Sequence, residues 1–286
     1  MRERMSLALS MVIFGTISLF VRGIALPTAE IALCRAGIAA LSLGAGLVLR
    51  GEKGLFRRAG RALPLLFLSG VLIGFNWILL FEAYRYTTVT LATLSYYFAP
   101  VLVTAACPLL FREKLTPAQL VCFLGSTAGL VLITGTAAAG PRDLRGILLG
   151  LGAAVLYASV VLLNKKIDNV GGVERTFFQF AAAFIVLLPY VLLTGAKPLS
   201  AAGAGGVGLL LALGLVHTAL AYCLYFVSLR SLTGQEAAIL SYLDPLTAVL
   251  LSLTVLHETV TPLQLAGGAL ILGFTLFNEL RAVRRA

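Results

Sequence analysis

The chain has 286 residues, of which 59% are hydrophobic and only 12% charged, with a formal net charge of +10. A soluble domain carries roughly 25% charged residues, and one water-soluble core could not hide this much apolar surface, so lipid is the solvent for most of the chain. The basic residues stand in short clusters between apolar runs, as at Arg50, Lys53, Arg57, Arg58 and Arg61. That is how such residues flank membrane spans, and it gives a nucleic-acid role no support.

A bilayer core needs about 20 apolar residues per helix. Ten segments meet or approach this: 5–26, 30–49, 62–84, 88–111, 116–136, 145–164, 174–195, 205–229, 235–256 and 260–280. The first follows Met1-Arg2-Glu3-Arg4, like a signal peptide, but no small-x-small site comes after it, so a retained first helix is expected. Turn signals separate the others, as in Leu26-Pro27-Thr28, Gly140-Pro141-Arg142-Asp143 and Asp168-Asn169-Val170-Gly171-Gly172. Gly125/Gly129 and Gly146/Gly150 have the spacing that lets helix backbones approach closely. Cys34, Cys107, Cys122 and Cys223 show no paired spacing, so neither a disulfide framework nor a zinc site is expected.

Sliding the chain by 145 residues superposes its halves. Trp77 falls on Tyr222, Phe81 on Phe226, Arg85 on Arg230, Thr88 on Thr233, Tyr97 on Tyr242, Pro100 on Pro245 and Glu113 on Glu258. Thr116-Pro117-x-Gln119-Leu120 falls on Thr261-Pro262-x-Gln264-Leu265, and Glu30 meets Glu174 at an offset of 144. With five helices per repeat, the second half crosses the membrane in the opposite sense, the arrangement that gives secondary transporters two related conformations around a midplane site.

The paired runs Phe111-Arg112-Glu113-Lys114-Leu115-Thr116-Pro117 and Leu256-His257-Glu258-Thr259-Val260-Thr261-Pro262, with the Tyr-x-x-Pro helices before them, resemble the EamA-type repeat of the drug/metabolite transporter superfamily. The resemblance implies an all-α integral membrane fold of ten transmembrane helices. These form two inverted five-helix repeats, residues 1–140 and 141–286, around a central cavity. It leaves the cargo open, since such transporters handle amino acids, sugars, nucleotide-sugars, amines and drugs.

Proline frees the carbonyl four residues earlier, so Pro100 and Pro245 release the Tyr96 and Ser241 carbonyls and are candidate gating bends. Thr90, Thr93, Tyr97, Pro100 and Thr104 share one helix face, a candidate cavity wall. Asn76, Trp77, Phe81 and Glu82 in the third segment, Tyr222 in the eighth, and Tyr242 and Asp244 in the ninth complete the candidate substrate-binding set. Tyr84 and Tyr86 also suit an interfacial belt. Ionisable residues within spans are functional candidates. Asp244 could bind an amine, take up a coupling proton, or pair with Arg35. Glu82 lies near the outer end of its helix. Arg35 could snorkel or pair with Glu82 or Asp244, and His217 suits a satisfied core histidine. Glu113 and Glu258 read as architectural.

Aromatic rings mixed with carboxylates favour a cationic amine as cargo. The expected function is secondary transport, in the export direction, of a small amino-containing metabolite. The alternative is proton-coupled import of a choline-like amine. Small-molecule substrate, protons and lipid are the expected partners. An intramembrane enzyme is the rival reading, but the chain has two histidines, no HExxH and no GxSxG. Without a Walker A run it is not itself expected to be an ATP-driven pump, and neither enzyme activity nor a cofactor is expected.

With the N-terminus inside, the cytoplasmic segments hold 16 Lys and Arg residues and the outer ones 5, a bias that sets both termini in the cytoplasm. We expect a C-terminal GFP fusion to fluoresce and the matching alkaline phosphatase fusion to be inactive; the opposite pair of results would refute this orientation.

Overall fold

The computed structural model describes residues 2–52, 54–111, 116–134, 140–167, 170–195, 197, 199–229, 232 and 234–283. Lys53, Arg112, Glu113, Lys114, Asp168, Asn169, Arg230, Thr233, Arg284 and Arg285, all used in the sequence reading, lie outside the described residues. The described residues form helices and turns, with no strand among them. In chain order they are α1 (Arg2–Arg22, interrupted at Thr16), α2 (Thr28–Leu49), α3 (Leu63–Tyr86) and α4 (89–111, as Val89–Tyr96 and Ala99–Phe111). Next come α5 (Pro117–Thr134), α6 (Pro141–Asn164) and α7 (Gly172–Leu193). Last are α8 (203–229, with a π-helical turn at Leu215–Leu220), α9 (234–254, as Gly234–Ser241 and Leu243–Thr254) and α10 (Pro262–Val283).

Among the described residues, seven helices are long and apolar enough to cross a membrane, and three shorter apolar ones, Pro117–Ile133, Ile239–Thr254 and Pro262–Asn278, accompany them. Leu41, Leu49, Leu124, Leu148, Ile185 and Leu250 point outward with large exposed areas. In water such a surface would aggregate, whereas lipid tails solvate it.

The doubled Thr-Pro-x-Gln run is a pair of helix starts. Thr116 N–H donates to Gln119 Oε1 at 2.9 Å and Gln119 N–H donates back to Thr116 Oγ1 at 3.3 Å. Thr261 and Gln264 repeat the exchange at 2.9 and 3.2 Å. Each is a capping box that satisfies two otherwise orphaned donors, with proline at the first helical position, where no N–H is needed.

Packing follows the repeat. α3 lies on α6 as α8 lies on α1; α3 on α7 as α8 on α2; α4 on α6 as α9 on α1. The repeat mates α2 with α7, α4 with α9, and α5 with α10 also touch one another. This exchange of partners is what a two-fold relation between the halves produces. The polar ends agree: Glu30 at the start of α2 accepts from Lys197 N–H at 2.7 Å, and Glu174 at the start of α7 holds Arg58 at 2.8 Å.

Both helices that carry the repeated Tyr-x-x-Pro, α4 and α9, break at the tyrosine, three residues before that proline. In α4, Phe98 N–H reaches Ser95 O at 3.2 Å and Val101 N–H reaches Phe98 O at 3.0 Å; in α9, Tyr242 N–H reaches Ile239 O at 3.2 Å. These three-residue closures replace helical bonds. Tyr97 and Tyr242 take nearly the same backbone angles, φ −70°, ψ 4° and φ −74°, ψ −8°. α8 departs from its mate α3 through its π-helical turn, a local widening of a kind frequent at functional sites.

The close approach of α5 and α10 rests on Gly129 and Gly267. A Cβ on either would stand 2.5 Å from the other's carbonyl oxygen, a contact that only backbone movement could relieve. Gly129→Ala should therefore lower the thermal stability of the solubilised protein by about 1–3 kcal/mol, the usual range for overpacking, whereas Gly140→Ala, with open space around it, should change stability far less. Equal melting behaviour in both variants would show that the crossing tolerates separation.

Candidate functional site

The break in α4 places Tyr97 beside the break in α9, and the Tyr97 hydroxyl donates to Asp244 Oδ2 at 2.7 Å. A carboxylate in an apolar bundle is costly unless it is hydrogen-bonded or partnered, so this bond explains how Asp244 is held. Gly15, where α1 is interrupted, admits no Cβ because the Asp244 carbonyl would lie 2.6 Å from it. The backbones of α1 and α9 therefore meet at Asp244. Further along α4 and α9, Thr90 Oγ1 donates to Ser252 Oγ at 2.9 Å, and Thr104 Oγ1 accepts from Asn278 of α10 at 3.0 Å. Three residues of the polar face read as a cavity wall thus bond to neighbouring helices.

Arg35 of α2 is 4% exposed. Its Nε donates to Thr218 Oγ1 at 2.9 Å, and its guanidinium carbon stands 4.2 Å from the centre of the Trp77 ring and 5.8 Å from that of Phe81. Thr218 lies on the π-helical turn and donates in turn to Leu213 O at 2.7 Å. Trp77 therefore already carries a cation from the protein on its face. Its ring also meets Phe180 at 5.2 Å, which meets Tyr222 at 5.4 Å, which meets Phe14 at 5.1 Å. Tyr96 links Tyr97, at 6.0 Å, to Tyr157, at 5.5 Å.

Trp77 and Phe81 stand against Arg35, Tyr222 and Asp244 lie within its electrostatic reach, and Tyr97 joins this region through its bond to Asp244. Asn76 sits apart, its amide donating to Ala153 O of α6 at 2.7 Å, which ties α3 to α6. Glu82 is partly exposed near the end of α3, where it accepts from Thr28 at 3.0 Å and lies 4.0 Å from Arg85. Tyr242 is buried at the α9 break, with Pro245 three residues on. His217 occupies the π-helical turn, its Nε2 2.9 Å from Thr16 Oγ1 and its Nδ1 3.1 Å from Ala212 O. No group of three or more His, Cys, Asp or Glu residues suited to a metal occurs among the described residues.

A second polar assembly joins helix ends where α1 finishes. Glu258, in the turn between α9 and α10, pairs with Arg22, accepts from Ser252, and accepts from Val89 N–H at 2.7 Å. Arg22 also donates to Tyr84 O at 2.8 Å and Thr87 O at 2.8 Å. Thr87 donates to Asp143 at 2.7 Å. One carboxylate thus joins α1, α4 and α9, and through Arg22 the end of α3. Beyond it opens a vestibule of about 580 Å³ lined by Arg22, Tyr86, Thr88, Arg142 and Asp143 among others. The sequence marked Glu258 through the repeat motif. Nothing in it marked Arg22, Thr16 or Thr218, whose partners lie on distant helices.

Comparison with known proteins gives a consistent result. The EamA-like transporter family matches residues 4–135 and 144–279. The chain is 33% identical to an uncharacterized transporter, YxxF, of Bacillus subtilis (strain 168) over 86% of this chain and 79% of that protein. It is 30% identical to an uncharacterized transporter of Archaeoglobus fulgidus over 95% and 94% of the two chains. It is 31% identical to protein RarD of Streptomyces exfoliatus over 80% and 72%. A crystal structure at 20% identity superposes with a TM-score of 0.68 over 99% of both chains, which supports the fold.

If Glu258 holds this end closed, Glu258→Gln should loosen it. In a background with the four native cysteines replaced, a Thr90→Cys reporter should react faster with a membrane-impermeant maleimide once Glu258→Gln is added. Unchanged labelling would show that the end stays sealed without the charge.

Proposed function

We propose, for a chain that belongs to the EamA-like transporter family, that it is a secondary transporter exporting a small amino-containing metabolite by alternating access. Its membership of the drug/metabolite transporter superfamily supplies the transport role. The cargo, the direction and the site are our reading. The observation that carries it is the Asp244 carboxylate, held by Tyr97 at 2.7 Å between two broken helices. A carboxylate there offers a counter-charge to an ammonium group, and Tyr97 and Tyr222 offer polar, aromatic surface beside it.

In this reading all ten helical rods span the inner membrane, with both termini in the cytoplasm and the five-helix repeats inverted. We read the end joined by Arg22 and Glu258 as the outer one, closed in a state that loads from the cytoplasm, as an exporter requires. Pro100 and Pro245 are the gating bends. Tyr97 and Tyr242, at the breaks themselves, absorb the change of angle. No Walker A run exists in the sequence, which leaves ion or solute gradients as the energy source.

The test is Asp244→Asn. If Asp244 pairs with the substrate ammonium, binding weakens by about 2–5 kcal/mol, roughly thirtyfold or more. If it carries the coupling proton instead, binding survives while pH-driven uphill transport into proteoliposomes is lost. Wild-type binding and wild-type pH-driven flux in a well-folded variant would remove Asp244 from the mechanism and overturn the reading.

A further inference from the structure

We infer that Arg35 is the carboxylate-binding residue of the transport site, so that the cargo is a zwitterion with an acid group as well as an amine. This rests on the reading of Asp244 as the amine partner. The observation behind it is the state of the guanidinium. Arg35 is 4% exposed, and its single hydrogen bond among the described residues runs from Nε to Thr218. Nη1 and Nη2, which present the forked donors matched to a carboxylate, have no acceptor among those residues. A buried guanidinium loses much hydration. Stacking on Trp77 at 4.2 Å returns only part of it, and no carboxylate among the described residues is bonded to its forked donors.

Asp244 and the hydroxyls of Tyr84, Tyr96 and Tyr222 lie within electrostatic reach of the guanidinium. Asp244 and Arg35 nonetheless form no direct ion pair; each has a bond of its own, to Tyr97 and to Thr218. Opposite charges in a low-dielectric bundle attract strongly. Two opposite charges, each anchored separately and not bonded to one another, suit a molecule that carries both complementary charges.

The repeat supplies an internal control. At the offset of 144 that aligns Glu30 with Glu174, Arg35 corresponds to Gln179. Gln179 is equally buried, but its Nε2 donates to Ser69 Oγ and Asn164 Oδ1, both at 2.8 Å. It is a neutral group satisfied inside the protein, and it ties α7 to α3 and α6. At the offset of 145, Asp244 corresponds to Ala99. Both charges of the region are thus departures from the repeat. Helix packing alone is served by the neutral counterparts, so the charges answer to something else. Their separation along one direction gives the site a polarity that a zwitterion would read.

The experiment measures thermal-shift affinities of the purified full chain for a panel of proteinogenic amino acids, their decarboxylated amines and their deaminated acids. The expected result is at least one amino acid bound about thirtyfold or more tightly than its amine, with Arg35→Gln removing that gap while amine affinity holds or rises. Arg35→Lys keeps the charge but loses the planar fork; if Arg35→Gln does not fold, this variant should narrow the gap about tenfold. An amine bound as tightly as its amino acid in the wild type, or a gap unchanged in the folded variants, overturns the assignment of Arg35 and leaves the amine reading intact. Binding of the deaminated acids as tightly as the amino acids overturns the amine reading and upholds Arg35. No binding by any member of the panel overturns both.

Discussion

Hydrocarbon offers no hydrogen-bond partner, and every other feature of this structure answers to that constraint. A backbone in lipid closes its bonds within each helix, and an interruption survives only where protein or water surrounds it. The interruptions here are at Gly15–Thr16 in α1, at Tyr97 in α4, at Leu215–Leu220 in α8 and at Tyr242 in α9. They gather rather than scatter. Gly15 abuts the backbone of Asp244, Tyr97 bonds its side chain, and Thr16 meets His217 of the π-helical turn. The irregular backbone is collected where the charged and aromatic side chains are, inside the bundle.

The two-fold repeat accounts for the scaffold and not for the chemistry. Capping boxes at Thr116–Gln119 and Thr261–Gln264, the Glu30 and Glu174 contacts and the exchange of helix partners are shared by both halves. Arg35, Asp244 and the π-helical turn are not shared. A duplicated five-helix unit can form its helices and crossings symmetrically, because caps and close-packed glycines need only local sequence. The departures from the repeat converge instead on the candidate site, where Arg35, Asp244 and the π-helical turn lie.

The Glu258 assembly couples the ends of elements whose middles form the candidate site. Val89 begins the helix that breaks at Tyr97, and Ser252 lies on the helix that breaks at Tyr242. A carboxylate that holds both holds the two broken helices together at one end. Moving α4 relative to α9 there would release Glu258 from Val89 and carry the change to the Tyr97–Asp244 bond through rigid helical turns. That is a physical link between the Glu258 assembly and the Tyr97–Asp244 bond through two elements with defined breaks.

The amino-acid sequence by itself determined the helical membrane class, the repeat, the paired Tyr-x-x-Pro breaks and the helix starts at Thr-Pro-x-Gln, because these depend on composition and on bonds between residues at most four apart. Which face of each helix looks inward was decided only by tertiary structure. In water an apolar stripe marks the buried face; in lipid the outer face is equally apolar, so periodicity loses that information. Only the fold shows that the Asn76 amide meets the Ala153 carbonyl of α6 and that α2 places Arg35 on the Trp77 ring. Arg35 itself had two candidate carboxylates in the sequence, and the fold gave it Thr218 from a π-helical turn that no local propensity foretold.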